Sequence, residues 1–146
     1  MKKQWKWAIG IVVFCILAPI AWTITSLGLR FHAEDDGAAV VSQFLAVLNA
    51  HDYTKAHALM APSEQAAVSV AAVQEAQEQI EKKHGGHWVS PAMPNERHAN
   101  EAVDHITFFY TVDFKKQYDE IFMMVRVVHT DDGWRVLEYH YDFGAA

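Results

Sequence analysis

Histidine is the residue type in this chain with the clearest capacity for chemistry. The sequence contains nine histidines, and imidazole is a common metal ligand and a general acid or base near neutral pH. The densest group is His84-Gly85-Gly86-His87, with His98 further along the chain. Structural zinc takes four ligands and catalytic zinc three, and neither a cysteine nor a nearby pair of carboxylates completes this group. We therefore interpret the segment as a helix end and expect no metal and no cofactor.

Other reaction classes lack their sequence motifs. The chain has no nucleophile elbow, phosphate-binding loop or dinucleotide fingerprint. Its single cysteine, Cys15, lies in an N-terminal apolar run, so the remainder has neither a reactive thiol nor a disulfide. These absences favour a protein that is not an enzyme.

The N-terminal segment predicts a membrane anchor. Three lysines among the first six residues precede residues 7–29, a run of 23 residues without a charge. As a helix this run spans about 34 Å, enough to cross a bilayer core of about 30 Å. The lysines place the N-terminus in the cytoplasm. We expect a single-pass bacterial inner-membrane protein, with residues 1–30 as cytoplasmic tip and anchor and residues 31–146 as a periplasmic domain.

A cleaved signal peptide is the alternative to this anchor. Its apolar core usually has about 7–15 residues and ends at a site of small residues. The run here is longer, and Pro19 lies two residues before the candidate site at Ala21. A lipoprotein would use Cys15, but Phe14 is too bulky for the preceding position. We favour an uncleaved anchor.

The predicted exported domain is strongly acidic. Removing Lys2, Lys3, Lys6 and Arg30 from the 12 basic side chains leaves eight against 18 acidic ones, a net charge of about −10. Such a charge repels phosphate backbones, so we expect no nucleic-acid partner. The 116 residues suffice for one compact domain and not for two.

Hydrophobic periodicity changes from helical to strand-like halfway along this domain. Three helices are predicted: Asp35 or Asp36 to about Ala50, Tyr53 to Met60 with an interruption at Pro62 and Ser63, and a third capped by Ser69 and ended by Gly85-Gly86. The first has one apolar face, made of Val41, Phe44, Leu45 and Leu48. Four strands follow: Trp88 to about Pro94, His105 to Phe114, Asp119 to His129 and Trp134 to Phe143. This order predicts an α+β fold, with the helices on one face of an antiparallel sheet.

The strand register follows from two hairpin loops. A loop at Asp131–Gly133 pairs Thr130 with Trp134, Val127 with Leu137, Val125 with Tyr139 and Arg126 with Glu138. A loop near Lys115 pairs Ile106 with Val127, Phe108 with Val125, Tyr110 with Met123 and Val112 with Ile121. One sheet face is then almost entirely apolar and aromatic, which a one-residue slip would destroy.

The opposite sheet face is more apolar than a free surface usually is. The simplest interpretation is a half-solvated face with an Arg126–Glu138 ion pair worth about 0.2–1 kcal/mol. We favour a face that packs against a second copy or a partner protein. The predicted interface comprises Phe109, Phe122, Met124, Arg126, Trp134, Glu138 and His140.

Three segments of the domain resemble the cystatin-like, or NTF2-like, superfamily, and in particular its small bacterial exported domains. They are residues 41–53 (VSQFLAVLNAHDY), residues 59–63 (LMAPS) and residues 132–136 (DGWRV). The resemblance implies a curved sheet wrapped around helices to form a cone with an open mouth. Members include isomerases and dehydratases, small-ligand binders and assembly partners.

The resemblance also implies a ligand pocket inside the cone. Related isomerases place an acid or histidine base opposite tyrosines in an apolar cavity. The matching side chains here are Tyr53, His57, Tyr110, Tyr139 and Tyr141, but no Asp or Glu lies in the middle of an inner-facing strand. We therefore expect a non-enzymatic interaction or assembly module, with a small-molecule binder or an isomerase or dehydratase as the alternative.

Overall fold

The computed structural model describes residues 31–89, 94, 96–114 and 121–143. The predicted anchor lies outside these residues. Within the described part of the chain, no helix combines the length and the apolar character that crossing a bilayer requires. Contacts divide the chain into two units, Met1–Ala33 and Glu34–Ala146. The architecture below is that of the second unit, and it is of the α+β class.

In the part of the chain that the structure describes, four helices precede the strands, rather than the three predicted. They are α1 (31–49), α2 (Tyr53–Ala58), α3 (Pro62–Ala67) and α4 (Val70–His84). The additional helix is α3, which the sequence analysis treated as an interruption. Pro62 occupies its first turn, where the missing N–H costs nothing and the fixed φ suits a helix.

The α1 helix packs its predicted apolar face on the sheet. Val41, Phe44, Leu45 and Leu48 are all fully buried, which confirms that face. The predicted cap at Asp35 or Asp36 is wrong, because both residues lie inside the helix. At Gly37 a Cβ atom would lie 3.1 Å from Cδ1 of Ile106, so a larger residue there would require the Ile106 side chain to shift.

Side-chain caps begin α2 and α4. The Asp52 carboxylate accepts a hydrogen bond from the Lys55 N–H (3.1 Å), and the Ser69 hydroxyl accepts one from the Ala72 N–H (3.2 Å). Gly85 ends α4 with φ +85°, a conformation that favours glycine. The predicted bounds of α4 are confirmed, and α2 ends two residues earlier than predicted.

Among the described residues, five strands form one antiparallel sheet. They are β1 (His87–Val89), β2 (Glu96–Ala99), β3 (His105–Phe114), β4 (Ile121–Thr130) and β5 (Gly133–Asp142). The order is β1-β3-β4-β5, and β2 pairs with the same edge of β3 as β1. One strand was predicted before β3, and β2 was not predicted, because three of its four residues are exposed polar ones. Residues 90–93 of the predicted first strand lie outside the described residues.

The predicted register between β3 and β4 is confirmed. Ile106 pairs with Val127, Phe108 with Val125, Tyr110 with Met123 and Val112 with Ile121. All eight side chains are at most 2% exposed, so this sheet face forms the core beneath the helices.

The register between β4 and β5 changes at a β-bulge. Arg126 pairs with Glu138 as predicted, but Val127 pairs with Val136 and not with Leu137. Leu137 is the extra residue of β5. The loop is one residue shorter than predicted, with Thr130 opposite Gly133, whose φ is +96°.

The bulge moves two residues from the outer face to the core. Trp134 is 6% exposed and Val136 is fully buried. The prediction that Trp134 belongs to an outer interface is therefore wrong. A residue inserted at Leu137 reverses the alternation of every side chain between it and the turn.

Candidate functional site

A groove lies between the helices α3 and α4 and the edge strand β5. Its volume is about 420 Å³, which falls within the usual range of ligand pockets. Most of the lining is apolar, and two glutamates and a histidine contribute polar groups. The lining residues are Met60, Glu64, Val68, Ala72, Val73, Ala76, Ile80, Leu137, Glu138, Tyr139, His140 and Tyr141.

Small side chains on α4 help to keep this groove open. Ala72, Ala76 and Ile80 recur every four residues, so they form one line along the helix. The neighbouring line carries Val73 and Gln77, both buried. The alanine side chains end at Cβ, so they leave space between α4 and β5 that longer side chains would fill.

The opposite wall of the groove is the edge of β5. Five consecutive residues, 137–141, line it. Because neighbouring side chains of a strand point to opposite faces, a cavity that contacts all five must run along the strand edge. The backbone edge of β5 is thus part of the groove.

Tyr139 and Tyr141 form the aromatic part of the wall. The Tyr139 ring packs edge-on against Phe44, with ring centroids 5.1 Å apart, and the Tyr141 ring contacts Tyr139 at 6.4 Å. Burial raises the pKa of Tyr139 to about 12 and raises that of Tyr141 further. Both hydroxyls therefore stay protonated at neutral pH and can donate hydrogen bonds.

A chain of polar contacts leads from Tyr141 to the surface. The Tyr141 hydroxyl donates to Oε1 of the fully buried Gln77 (3.2 Å), and Nε2 of Gln77 donates to Oε1 of Glu81 (3.3 Å). Glu81 also lies 3.1 Å from Nε2 of His51. The hydrogen bonds of Gln77 with Tyr141 and Glu81 help to offset the free-energy cost of burying its polar amide.

We expect Gln77→Leu to lower the free energy of unfolding by about 1–3 kcal/mol, because the Tyr141 hydroxyl loses this acceptor in a buried site. In a Tyr141→Phe background the same substitution should cost clearly less, because both polar partners are then gone. Urea unfolding followed by circular dichroism measures both costs, and Gln79→Leu on the exposed side of α4 is the matched control. Equal costs of Gln77→Leu in the two backgrounds would contradict the contact.

Alkaline pH should destabilise the domain through its buried tyrosines. Burial raises the pKa of Tyr110 and Tyr139 from 10.0 to about 12. The stability that these neutral phenols contribute is fully present below the unfolded pKa and is lost as pH rises through the folded one. A pH titration of tyrosinate absorbance and circular dichroism should show late ionisation that coincides with unfolding. Ionisation of all five tyrosines near pH 10 in a folded protein would contradict this.

The predicted pocket residues do not all meet in the groove. Tyr139 and Tyr141 line it, whereas Tyr110 is 2% exposed within the core. Tyr53 is buried at the start of α2, and its hydroxyl has no hydrogen-bond partner among the described residues. His57 contacts the Val68 carbonyl oxygen through Nε2 at 2.7 Å, which ties α2 to the end of α3.

Sequence reasoning missed Glu64, Gln77 and the alanines of α4. The repeat of Ala72 and Ala76 four residues apart was the available signal, because it marks a helix face that cannot fill its contact with the sheet. Glu64 lies on α3, which was not predicted, so no sequence signal placed it near β5.

The outer sheet face retains the remaining predicted interface residues. Phe122 is 42% exposed there, and Nη1 of Arg126 lies 2.7 Å from Oε1 of Glu138. The predicted cross-strand ion pair is thus confirmed. Phe109, Met124 and His140 lie on the same face by the strand register.

The histidine-glycine segment ends α4, as its sequence indicates. The His84 ring stacks on Phe143, with centroids 4.2 Å apart, and also contacts Phe114. Within the described ranges no three His, Cys, Asp or Glu side chains are arranged to hold a metal ion.

No family model matches the sequence, and no curated protein matches it significantly.

Proposed function

We propose that this chain is a membrane-tethered, extracytoplasmic domain that acts as a non-enzymatic protein-interaction or assembly module, with the groove beside β5 as its binding site. One observation carries the proposal. The groove is apolar, open to solvent and continuous with a strand edge, which together suit a protein segment. Its two glutamates, half-buried Glu64 and exposed Glu138, form its rim, and no acid lies on the inner face of the described parts of β3 and β4.

Two features of the sequence support the tether and the class of fold. The lysines before residues 7–29 orient an apolar span with the domain outside the cytoplasm. The described helices pack on an antiparallel sheet, and this arrangement is compatible with the sheet wrapped around helices that the NTF2-like resemblance implies. We propose that the domain belongs to that superfamily and lies on the periplasmic side of the inner membrane.

Filling the groove tests the binding function. Ala76→Trp places an indole in the groove, whereas Ala71→Trp makes the same change at an exposed position of α4 outside the lining. In native membranes solubilised under mild conditions, the wild-type chain and Ala71→Trp should migrate as part of a larger assembly, and Ala76→Trp as the free protein. An assembly unchanged by Ala76→Trp, with its folding checked by circular dichroism, would refute the groove as the binding site.

Labelling tests the topology. In a Cys15→Ser background, Asp132→Cys introduces a thiol at the exposed β4–β5 turn. A membrane-impermeant maleimide should label it once the outer membrane is permeabilised, without lysis of the inner membrane. Labelling only after lysis would place the domain in the cytoplasm.

A small-molecule ligand is the second candidate, and the volume of the groove favours it. Neutral Tyr139 and Tyr141 beside an apolar cavity suit an apolar molecule with a hydrogen-bonding group. In that case Tyr139→Phe should abolish ligand-induced thermal stabilisation. A substitution that changes only the stability of the free protein would assign Tyr139 to the core, and an isomerase or dehydratase would further require turnover.

The outer sheet face is a separate proposal. We infer from exposed Phe122 and its neighbours that this face packs against a second copy of the chain. Sedimentation of the full chain in detergent should then show a dimer, and Phe122→Glu should yield monomers. A wild-type chain that stays monomeric at high concentration would exclude this contact.

A further inference from the structure

The edge of β5 already makes one strand-like contact, at Val136. The Val136 N–H donates to the Leu59 carbonyl (2.9 Å), and the Ala61 N–H donates to the Val136 carbonyl (2.7 Å). Met60 thereby forms a single parallel bridge with Val136. The chain then enters α3 at Pro62 and leaves the edge, so the next part of β5 is open to the groove.

Ladder geometry determines which backbone groups of β5 face the groove. Val136 directs its N–H and C=O away from β4, so Val127 and Val136 form a pair without mutual hydrogen bonds. Such pairs recur every two residues along an antiparallel partner strand. Val125 lies two residues from Val127 on β4 and pairs with Tyr139, so Tyr139 also directs its N–H and C=O outward.

The outward backbone groups of Tyr139 lie where an added strand would pair. Among the described residues no further strand lies beyond β5. The groove contacts residues 137–141, so it runs past these groups with Ala76 and Ile80 on its other side. An apolar cavity next to a backbone donor and acceptor that no described strand pairs suits a ligand that carries its own backbone.

We propose that an extended peptide segment of a partner protein binds in this groove as an added strand on β5, through backbone hydrogen bonds to Tyr139. Alternate side chains of the segment enter the apolar space between β5 and α4. This inference rests on the proposed function and identifies the partner chemistry at the same site.

The negative charge around the groove favours a peptide segment that contains basic residues. Glu64 at the rim forms no ion pair within the described ranges, and Glu138 is paired with Arg126 on the outer face. The domain as a whole is about −10 by its sequence. A segment that alternates apolar and basic residues therefore matches both the apolar wall and the acidic rim.

A synthetic peptide tests this inference. The probe is a capped peptide of about six alternating Val and Lys residues, a length that matches β5 beyond the bulge. Its affinity for the full chain in detergent is measured by calorimetry. An otherwise identical peptide with N-methyl groups on its strand-pairing amides should bind about tenfold more weakly, because its methylated nitrogens cannot donate to the Tyr139 carbonyl and the methyl groups prevent close alignment with the strand.

Charge reversal supplies a matched pair of variants. Glu64→Lys should weaken binding of the Val/Lys peptide about threefold through the lost rim charge. Glu75→Lys makes the same change in net charge at an exposed α4 position outside the groove and should leave the affinity unchanged. Equal effects of the two variants would show general charge attraction and overturn the rim assignment.

The outcomes separate this inference from the proposed function. Equal binding of the methylated and unmethylated peptides would overturn strand addition while leaving the groove as a binding site. No binding of either peptide would also overturn it, and the Ala76→Trp comparison in native membranes would then decide the proposed function independently. Tight binding of the unmethylated peptide that Ala76→Trp abolishes and Ala71→Trp preserves would support both.

Discussion

Val136→Asp is expected to prevent the domain from folding, with a loss of more than about 4 kcal/mol. Val136 is fully buried because the bulge at Leu137 turns it toward the helices. A carboxylate there would be desolvated without a positive partner. Circular dichroism and limited proteolysis of the purified chain measure the effect.

The matched control for this substitution is Glu138→Asp, two residues along the same strand on the exposed face. It should fold with a change below about 1 kcal/mol. In the uninterrupted register predicted from the sequence, Val136 would face solvent and Val136→Asp would be tolerated. A folded Val136→Asp protein would therefore contradict the bulge.

Phe44→Ala has the second largest expected effect, a loss of about 3–5 kcal/mol in the free energy of unfolding. Phe44 is fully buried on α1 and packs against the Tyr139 ring at 5.1 Å. Its removal leaves a cavity directly beneath one wall of the groove. Urea unfolding of the full chain in detergent gives the value.

A control variant and a binding measurement accompany the Phe44→Ala prediction. Gln43→Ala, on the exposed side of the same helix, should change the free energy of unfolding by less than about 0.5 kcal/mol. Phe44→Ala should also weaken binding of the Val/Lys peptide, because Tyr139 loses its packing support. A loss below about 1 kcal/mol would show that α1 does not pack on β5 as described.

The long, strongly periodic elements could be predicted from the sequence. Strand β3 was predicted with its bounds, and the β3–β4 register followed from alternation over eight paired residues. Helix α4 carries recognisable signals at both ends, Ser69 as a cap and Gly85 as a stop. In these elements the local pattern and the tertiary packing favour the same structure.

The bulge could not be predicted because both registers are apolar. Val136 and Leu137 are adjacent aliphatic residues, so either can face the core, and the sequence does not show which one is extra. Trp134 is equally compatible with a core and with an interface. The short elements α3 and β2 were missed because tertiary contacts determine them more than periodicity does.

The groove itself was predicted only in part. Tyr139 and Tyr141 were placed on the inner face from alternation alone, and both line the groove. Tyr110 has the same alternation, but it lies on β3, beneath the helices, whereas β5 is an edge strand. Whether an inner-facing tyrosine lies in the core or in the groove depends on the position of its strand in the sheet. That position could not be derived from the sequence.

Amide hydrogen exchange at Tyr139 tests the central claim most directly. In the free full chain this N–H faces the groove, and it should exchange much faster than the Met123 and Val125 amides inside the sheet. Saturation with the Val/Lys peptide should slow exchange at Tyr139 at least tenfold, while the N-methylated peptide should leave it unchanged. A Tyr139 amide that is already protected in the free protein, or that stays unprotected under saturation, would contradict the account.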